Sequence, residues 1–260
     1  MSICLTAPDG IRNVVKRGMT IVPTGDVAVQ ETQGEKVKPA RRRYTSPAMR
    51  ERRTRIVDTA HRILGEGGVA ALTIRRLSDE AGVAQRTIYR LFGDKDGVIS
   101  ATVVDRMKEV REHIARRGQT YTLPVVFSEL DWMVSEMERD TLYARVVVGF
   151  VFETEQRQLE VRELTSVAYS RFMGWYELQR EAGHVRDELD VERVARDHVM
   201  HEFLVYRRWV LGQSSSEECK LELHACFLRS AMLMLREEHR EDYLAKLAGI
   251  QKKLNRIASV

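Results

Sequence analysis

The chain has 260 residues, of which 43% are apolar and 31% charged, and a formal net charge of +4. That composition is enough for one large core or two ordinary ones. The longest apolar run, Val146 to Phe152 around Gly149, is far short of the roughly 20 residues a membrane-spanning helix needs, so no membrane span is expected. Asp9, Arg12, Lys16 and Arg17 interrupt any apolar stretch a secretory signal would require, and the expected compartment is the cytoplasm. Cys4, Cys219 and Cys226 are too few and too scattered for a disulfide framework, so reduced thiols packed in a core are expected.

The charge is unevenly spread. Residues 1–55 hold 12 Lys and Arg against 5 Asp and Glu, whereas the remaining 205 hold 30 against 33. A basic end on a near-neutral body suits a polyanionic partner. Pro8, Pro23, Pro39 and Pro47 also fall at this end, where no apolar periodicity is sustained, so residues 1–46 read as a disordered basic tail. Met19 and Met49 are both compatible with a start of translation.

From Pro47 onward the pattern is helical, and the fold class is all-α. Ile56, Ala60, Ile63 and Leu64 mark a first helix, and Ile74, Leu77 and Ala81 a second. Ile88, Leu91 and Phe92 mark a third, and Val98, Ile99, Thr102 and Val103 a fourth running from Asp94 to about Arg116. Pro124 and the preceding "RRGQTYTL" set a boundary, giving a unit over residues 47–117 and a larger bundle over 118–260. Helices are expected near Pro124 to Arg139, Leu142 to Glu155, Leu159 to Glu181, Val191 to Gly212 and Ser216 to Glu238. A last amphipathic stretch follows from Tyr243 to Ile257.

The informative stretch is "LSDEAGVAQRTIYRLFGDK", Leu77 to Lys95. Gly82 suits the left-handed residue that ends a helix, and the chain restarts at once. The restarted helix turns Ile88, Leu91 and Phe92 inward and leaves Gln85, Arg86, Thr87, Tyr89 and Arg90 for a partner. Two helices joined by such a short turn form a helix-turn-helix, whose second helix enters the DNA major groove. Arginine can bond guanine through two donors and glutamine can pair with adenine. Thr73, Tyr89 and Lys95 carry groups suited to phosphate oxygens. Arg41, Arg42 and Arg43, just upstream, could follow the backbone or enter a minor groove.

The segment from Arg55 to Ala101 resembles the DNA-binding domain of the tetracycline-repressor (TetR) family of transcriptional regulators, through the apolar first helix, Thr73, the Ala-Gly-Val turn, the Thr-x-Tyr-x-x-Phe run and Lys95. The resemblance implies a three-helix helix-turn-helix domain followed by a bundle for effector binding and dimerisation. It also implies phosphate contacts from Thr73, Tyr89 and Lys95 and base contacts from Gln85 and Arg86. Three positions depart from the family pattern: Ala84 stands where a capping serine is common, Arg90 replaces a common histidine, and Gly97 falls in the first turn of the fourth helix.

In the bundle the resemblance rests on "EAGHVRDELDVERVA", like the junction before the family's penultimate major helix. It implies a homodimer through the last two long helices, a double-stranded DNA operator and a small-molecule effector that releases it. Tyr169, Phe172, Trp175 and Tyr176, with His198 and Glu202 one turn apart on the next long helix, are the candidates for an effector pocket, set against a reading of the aromatics as plain core. His198 and Glu202 lack the further ligands a metal needs, and no metal or cofactor is expected. No phosphate loop, Gly-x-Ser-x-Gly or His-Glu-x-x-His is present, which argues against an enzyme. The alternative is a sequence-indifferent architectural DNA binder.

Overall fold

The computed structural model describes residues 47–117, 120–152 and 158–259, all within one compact unit, residues 45–260. Arg41, Arg42 and Arg43 lie outside the described residues. In chain order the helices are α1 Pro47–Ala71, α2 Ile74–Ala81, α3 Gln85–Phe92, α4 Lys95–Arg117, α5 Leu123–Glu138, α6 Thr141–Phe152, α7 Gln158–Glu181, α8 Val191–Val210, α9 Ser216–Met234 and α10 Glu241–Ile257. Among the described residues there is no strand, only one isolated bridge between Val185 and Leu235. The all-α expectation holds.

α1 organises the N-terminal half. Ile56, Val57, Ala60, Ile63 and Leu64 recur at helical spacing and are buried. Its end is broken at Gly67 and Gly68, the latter at φ 64°, ψ −161°, a conformation open essentially only to glycine. α1 packs on α2 and α4, and also on α6 of the bundle. At that last contact the His61 ring meets Tyr143 edge-on at 4.2 Å, and His61 Nε2 lies 3.6 Å from Asp140 Oδ2. Arg106 and Arg111 on α4 pair with Glu136 on α5 at 2.6 Å and with Glu163 on α7 at 2.5 Å.

The bundle helices begin where side chains cap free backbone amides. Asp190 accepts from the Arg193 amide, and Ser215 and Glu218 form a reciprocal capping box at the start of α9. α8 ends two residues before the expected Gly212, which sits at φ 74°. α9 ends at Met234, short of the expected Glu238, because Leu235 turns extended to bridge Val185. The Arg186 amide then donates to Met234 O at 2.8 Å and the Arg236 amide to His184 O at 2.9 Å. A short 3-10 turn, Glu237–His239, leads into α10, which packs on α9. Cys219 and Cys226 are buried free thiols, and burial pushes Cys219 up to about 12, so both serve packing. Cys4 lies outside the described residues.

Gly97 is a packing requirement as well as a departure from the family pattern. A Cβ built there would lie 1.9 Å from the Phe92 carbonyl oxygen, so the turn from α3 into α4 closes only over glycine. The Gly97 amide donates to Asp94 Oδ1 at 2.7 Å, tightening the same turn. Gly97→Ala should destabilise the chain by about 1–3 kcal/mol in urea unfolding. Gly249→Ala, in open space on α10, should stabilise it by about 0.4–1 kcal/mol. Equal effects would contradict this account of Gly97.

Candidate nucleic-acid interface

The interface is built on two short helices and the turn between them. Thr73 caps α2, its hydroxyl oxygen accepting from the Arg76 amide at 3.1 Å and its own proton remaining available to an acceptor outside. α2 ends at Gly82, at φ 62° and ψ 42°. Ser78 then fixes the turn: the Val83 amide donates to Ser78 O at 3.1 Å while the Ser78 hydroxyl donates to Val83 O at 2.6 Å. Sequence reasoning assigned Ser78 no role; its signal was a buried serine on the Leu77–Ala81 side of the helix.

α3 starts without a side-chain cap at Ala84 and is held from the other side by fully buried Ile88 and half-buried Leu91 and Phe92. Gln85, Arg86, Tyr89 and Arg90 are exposed, Tyr89 by 51%, and at this spacing they form one outward face, with half-buried Thr87 beside it. Exposed Thr73 and half-buried Lys95 sit at the starts of the flanking helices. Lys95 Nζ donates to Val69 O at 2.7 Å, which anchors the ammonium and leaves it further protons to donate. Arg76 is committed elsewhere: with Arg62, Glu66 and Glu80 it forms a surface network binding α1 to α2, including contacts of 2.5 Å to Glu66 and 2.6 Å to Glu80.

In the bundle, a cavity of about 40 Å³ lies among α4, α5, α6, α7 and α8. Glu202 is on its wall, together with Arg171, Tyr206, Phe203 and Met107, Met133 and Met137. Phe172, Trp175, Tyr176 and His198 pack in the adjoining core, and Tyr169 is half-buried against it. Trp175 is fully buried and donates through Nε1 to Tyr243 Oη at 3.0 Å. Arg171 was not anticipated. It is 1% exposed and gives Nη1 to Glu129 at 3.1 Å and Nη2 to Glu202 at 2.7 Å. An arginine on an otherwise apolar helix face was its only sequence signal.

His198 Nδ1 lies 3.2 Å from Ser230 Oγ, and its Nε2 lies 3.6 Å from Glu202 Oε2. Among the described residues, no group of three or more His, Cys, Asp or Glu is placed to hold a metal ion. None of the described helices is long and apolar enough to cross a membrane.

A short helix ended by a left-handed glycine, a clamped turn, and a second helix whose outer face is polar and basic define a helix-turn-helix protein. Residues 56–102 match the family model for bacterial regulatory proteins of the tetR family. Residues 56–102 therefore carry the DNA-binding domain of the tetR family of bacterial regulatory proteins. Solved structures share the fold. A TetR-family regulator from Rhodococcus sp. is 18% identical with a TM-score of 0.54, over 72% of this chain and 100% of its own. SmeT from Stenotrophomonas maltophilia, the repressor of the multidrug efflux pump SmeDEF, is 18% identical with a TM-score of 0.54, over 71% and 91%. FadR from Thermus thermophilus, a repressor solved with lauroyl-CoA, is 17% identical with a TM-score of 0.56, over 71% and 96%. No curated protein matches the chain.

Burial drives the pKa of His198 down to about 3, with nearby Arg171 and His201 adding to the effect. The native state therefore holds His198 neutral, while the unfolded chain takes up a proton near the ordinary value of about 6.5. Its contribution is fully present above about pH 6.5 and is lost as the pH falls from there towards 3. The melting temperature should fall across that window, and His198→Gln should flatten part of the slope. An unchanged slope would place the acid sensitivity elsewhere.

Proposed function

We propose that the protein is a ligand-responsive repressor, cytoplasmic and non-enzymatic, which binds a palindromic operator as a homodimer. The observation that carries this reading is the outward face of α3, where Gln85, Arg86, Tyr89 and Arg90 stand exposed above a helix fixed by Ile88. In this reading Gln85 and Arg86 reach base edges, Thr87 and Arg90 flank them, and Thr73, Tyr89 and Lys95 hold phosphates. Arg41, Arg42 and Arg43 add sequence-independent attraction to the backbone.

Dimerisation through α8 and α9 is supported by the apolar side chains they leave in water. Met200, Leu204 and Leu211 lie four and seven residues apart along α8 and its end, 42%, 50% and 47% exposed, and Leu233 on α9 is 56% exposed. A two-fold axis through this face pairs like patches and presents two copies of α3 to one duplex.

The division of labour is a reading unit over residues 47–117 and a sensing and dimerising bundle over 118–260. α4 belongs to both. Lys95 at its start faces the DNA side, and Met107, about 18 Å further along the axis, lines the bundle cavity. A ligand that enlarges the cavity displaces the helix at Met107 and tilts α3 relative to its dimer mate. A coupling of about 1–3 kcal/mol would change operator occupancy several-fold or more.

Arg86→Ala should weaken binding to the preferred operator by about 1–3 kcal/mol per half-site and relax its preference at one position. Lys95→Ala should weaken all duplexes alike and reduce the salt slope by about one per contact. Its lost bond to Val69 O should also lower the melting temperature slightly. Fluorescence anisotropy over a panel of duplexes and salt concentrations checks both variants. Preference and affinity unchanged in Arg86→Ala would overturn the placement of α3 on bases.

A further inference from the structure

The reading unit joins the bundle along two seams of different character. On one, α4 lies against α5 and α7 through ion pairs of Arg106 with Glu136 at 2.6 Å and of Arg111 with Glu163 at 2.5 Å. Both side chains of the second pair are 39% exposed, and ion pairs so exposed hold weakly and re-form at other separations. On the other seam, α1 meets α6 by direct packing. Asp140 caps α6, its Oδ1 accepting from the Tyr143 amide at 3.0 Å. The same carboxylate lies on Gly65 of α1 so closely that a Cβ there would come within 2.5 Å of Oδ2 and 3.0 Å of Cγ. It cannot swing aside without releasing the amide it caps. One turn earlier on α1, His61 meets both partners, with Nε2 3.6 Å from Asp140 Oδ2 and its ring centroid 4.2 Å from that of buried Tyr143. A close backbone approach, a pinned cap and a ring contact leave this seam no room to slide.

The far side of α6 is tied to α8. Arg145 donates through Nε and Nη2 to Val210 O, at 3.0 and 2.8 Å, and so holds the carboxyl end of α8. The Arg207 guanidinium on α8 lies 4.7 Å from the centroid of the Phe152 ring at the end of α6. α8 also carries exposed Met200 and Leu204, and exposed Leu211 directly follows Val210. α6 is therefore a strut between the apolar face of α8 and α1, and α1 belongs to the platform that holds α3. α4, by contrast, is held by groups that give: two ion pairs and the unbranched Met107 at the cavity wall.

We infer that the α1–α6 seam is the fulcrum of the reading unit, and that Gly65, His61 and Asp140 are positioning residues that set the separation of two α3 copies and hence the half-site spacing the protein accepts. This rests on the reading of the protein as an operator-binding homodimer, and gives that reading a determinant of spacing. With the seam fixed, movement of α4 turns the reading unit about α1 instead of shifting it bodily. With the seam loosened, each α3 seeks its half-site independently, so affinity at the preferred spacing falls while tolerance of other spacings rises.

The test takes the inverted repeat that the full chain selects from random duplexes, together with versions in which one base pair is inserted or removed between the half-sites. One base pair moves the second half-site by about 3.4 Å and turns it by about 35°. The native chain should bind the selected spacing at least about tenfold more tightly than either version. Gly65→Ala, which wedges Asp140 off α1, should reduce that ratio to about threefold or less while sedimentation still shows a dimer. Asp140→Ser removes the carboxylate oxygens that the new methyl would strike and keeps an acceptor for the Tyr143 amide, so combining it with Gly65→Ala should restore most of the ratio. Should Gly65→Ala fail to fold, Arg145→Gln frees α6 from the end of α8 and should reduce the ratio in the same way. Arg111→Gln, on the yielding seam, should leave the ratio unchanged. A general loss of packing would weaken all three duplexes together, so a ratio preserved in folded Gly65→Ala, or in Arg145→Gln where that variant stands in, would overturn the fulcrum. An equal loss of the ratio in Arg111→Gln would overturn it too. A native chain indifferent to spacing would overturn the dimeric reading itself, and the fulcrum with it.

Discussion

An eight-residue helix cannot hold itself. Isolated helices shorter than about 12–15 residues are marginal in water, and α3 is also deprived of a side-chain cap at Ala84. Its stability has to come from Ile88, Leu91 and Phe92 and from the helices on either side. That constraint explains features scattered through the N-terminal half: the double clamp of Ser78 on Val83, the closure of the Phe92–Gly97 turn over a missing side chain, and the length of α1 and α4 as a platform. A helix anchored wholly from one side is free to offer everything on the other. Function here follows from how little of α3 the core requires.

The same platform joins the reading unit to the bundle along two routes. α4 reaches α7 and contributes Met107 to the cavity wall, while α1 meets α6 through His61, Asp140 and Tyr143. Arg171 and Glu202, two members of the buried triad with Glu129, line the same cavity. Buried ion pairs contribute less to stability than their short distances suggest, because desolvation offsets most of the attraction.

Much of the architecture was legible in the sequence because it was written in local terms. Apolar spacing placed the helices within a few residues, Gly82 marked the left-handed turn, and Pro124 began the bundle. The outward positions of α3 followed from period alone, once Ile88 was taken as inward. What escaped were relations between distant residues. Nothing near Lys95 announces Val69 O, 26 positions earlier, and the pairing of Val185 with Leu235 that shortens α9 spans 50. Arg171 shows only an arginine on an apolar helix face, and its partners are not legible until α5 brings Glu129 and α8 brings Glu202 and Tyr206 around it. The aromatic cluster was visible by its spacing, but spacing does not distinguish the wall of a cavity from packed core, and Trp175 lies in the latter.

The central claim is that this chain reads sequence through paired copies of α3. Selection of preferred sites from random duplexes by the full chain tests it most directly. The account predicts enrichment of an inverted repeat whose half-site centres lie about one helical turn, roughly 34 Å, apart, bound far more tightly than scrambled DNA at physiological salt. Recovery of no common sequence, with equal affinity for all duplexes and a steep salt dependence, would contradict it and leave an architectural DNA binder.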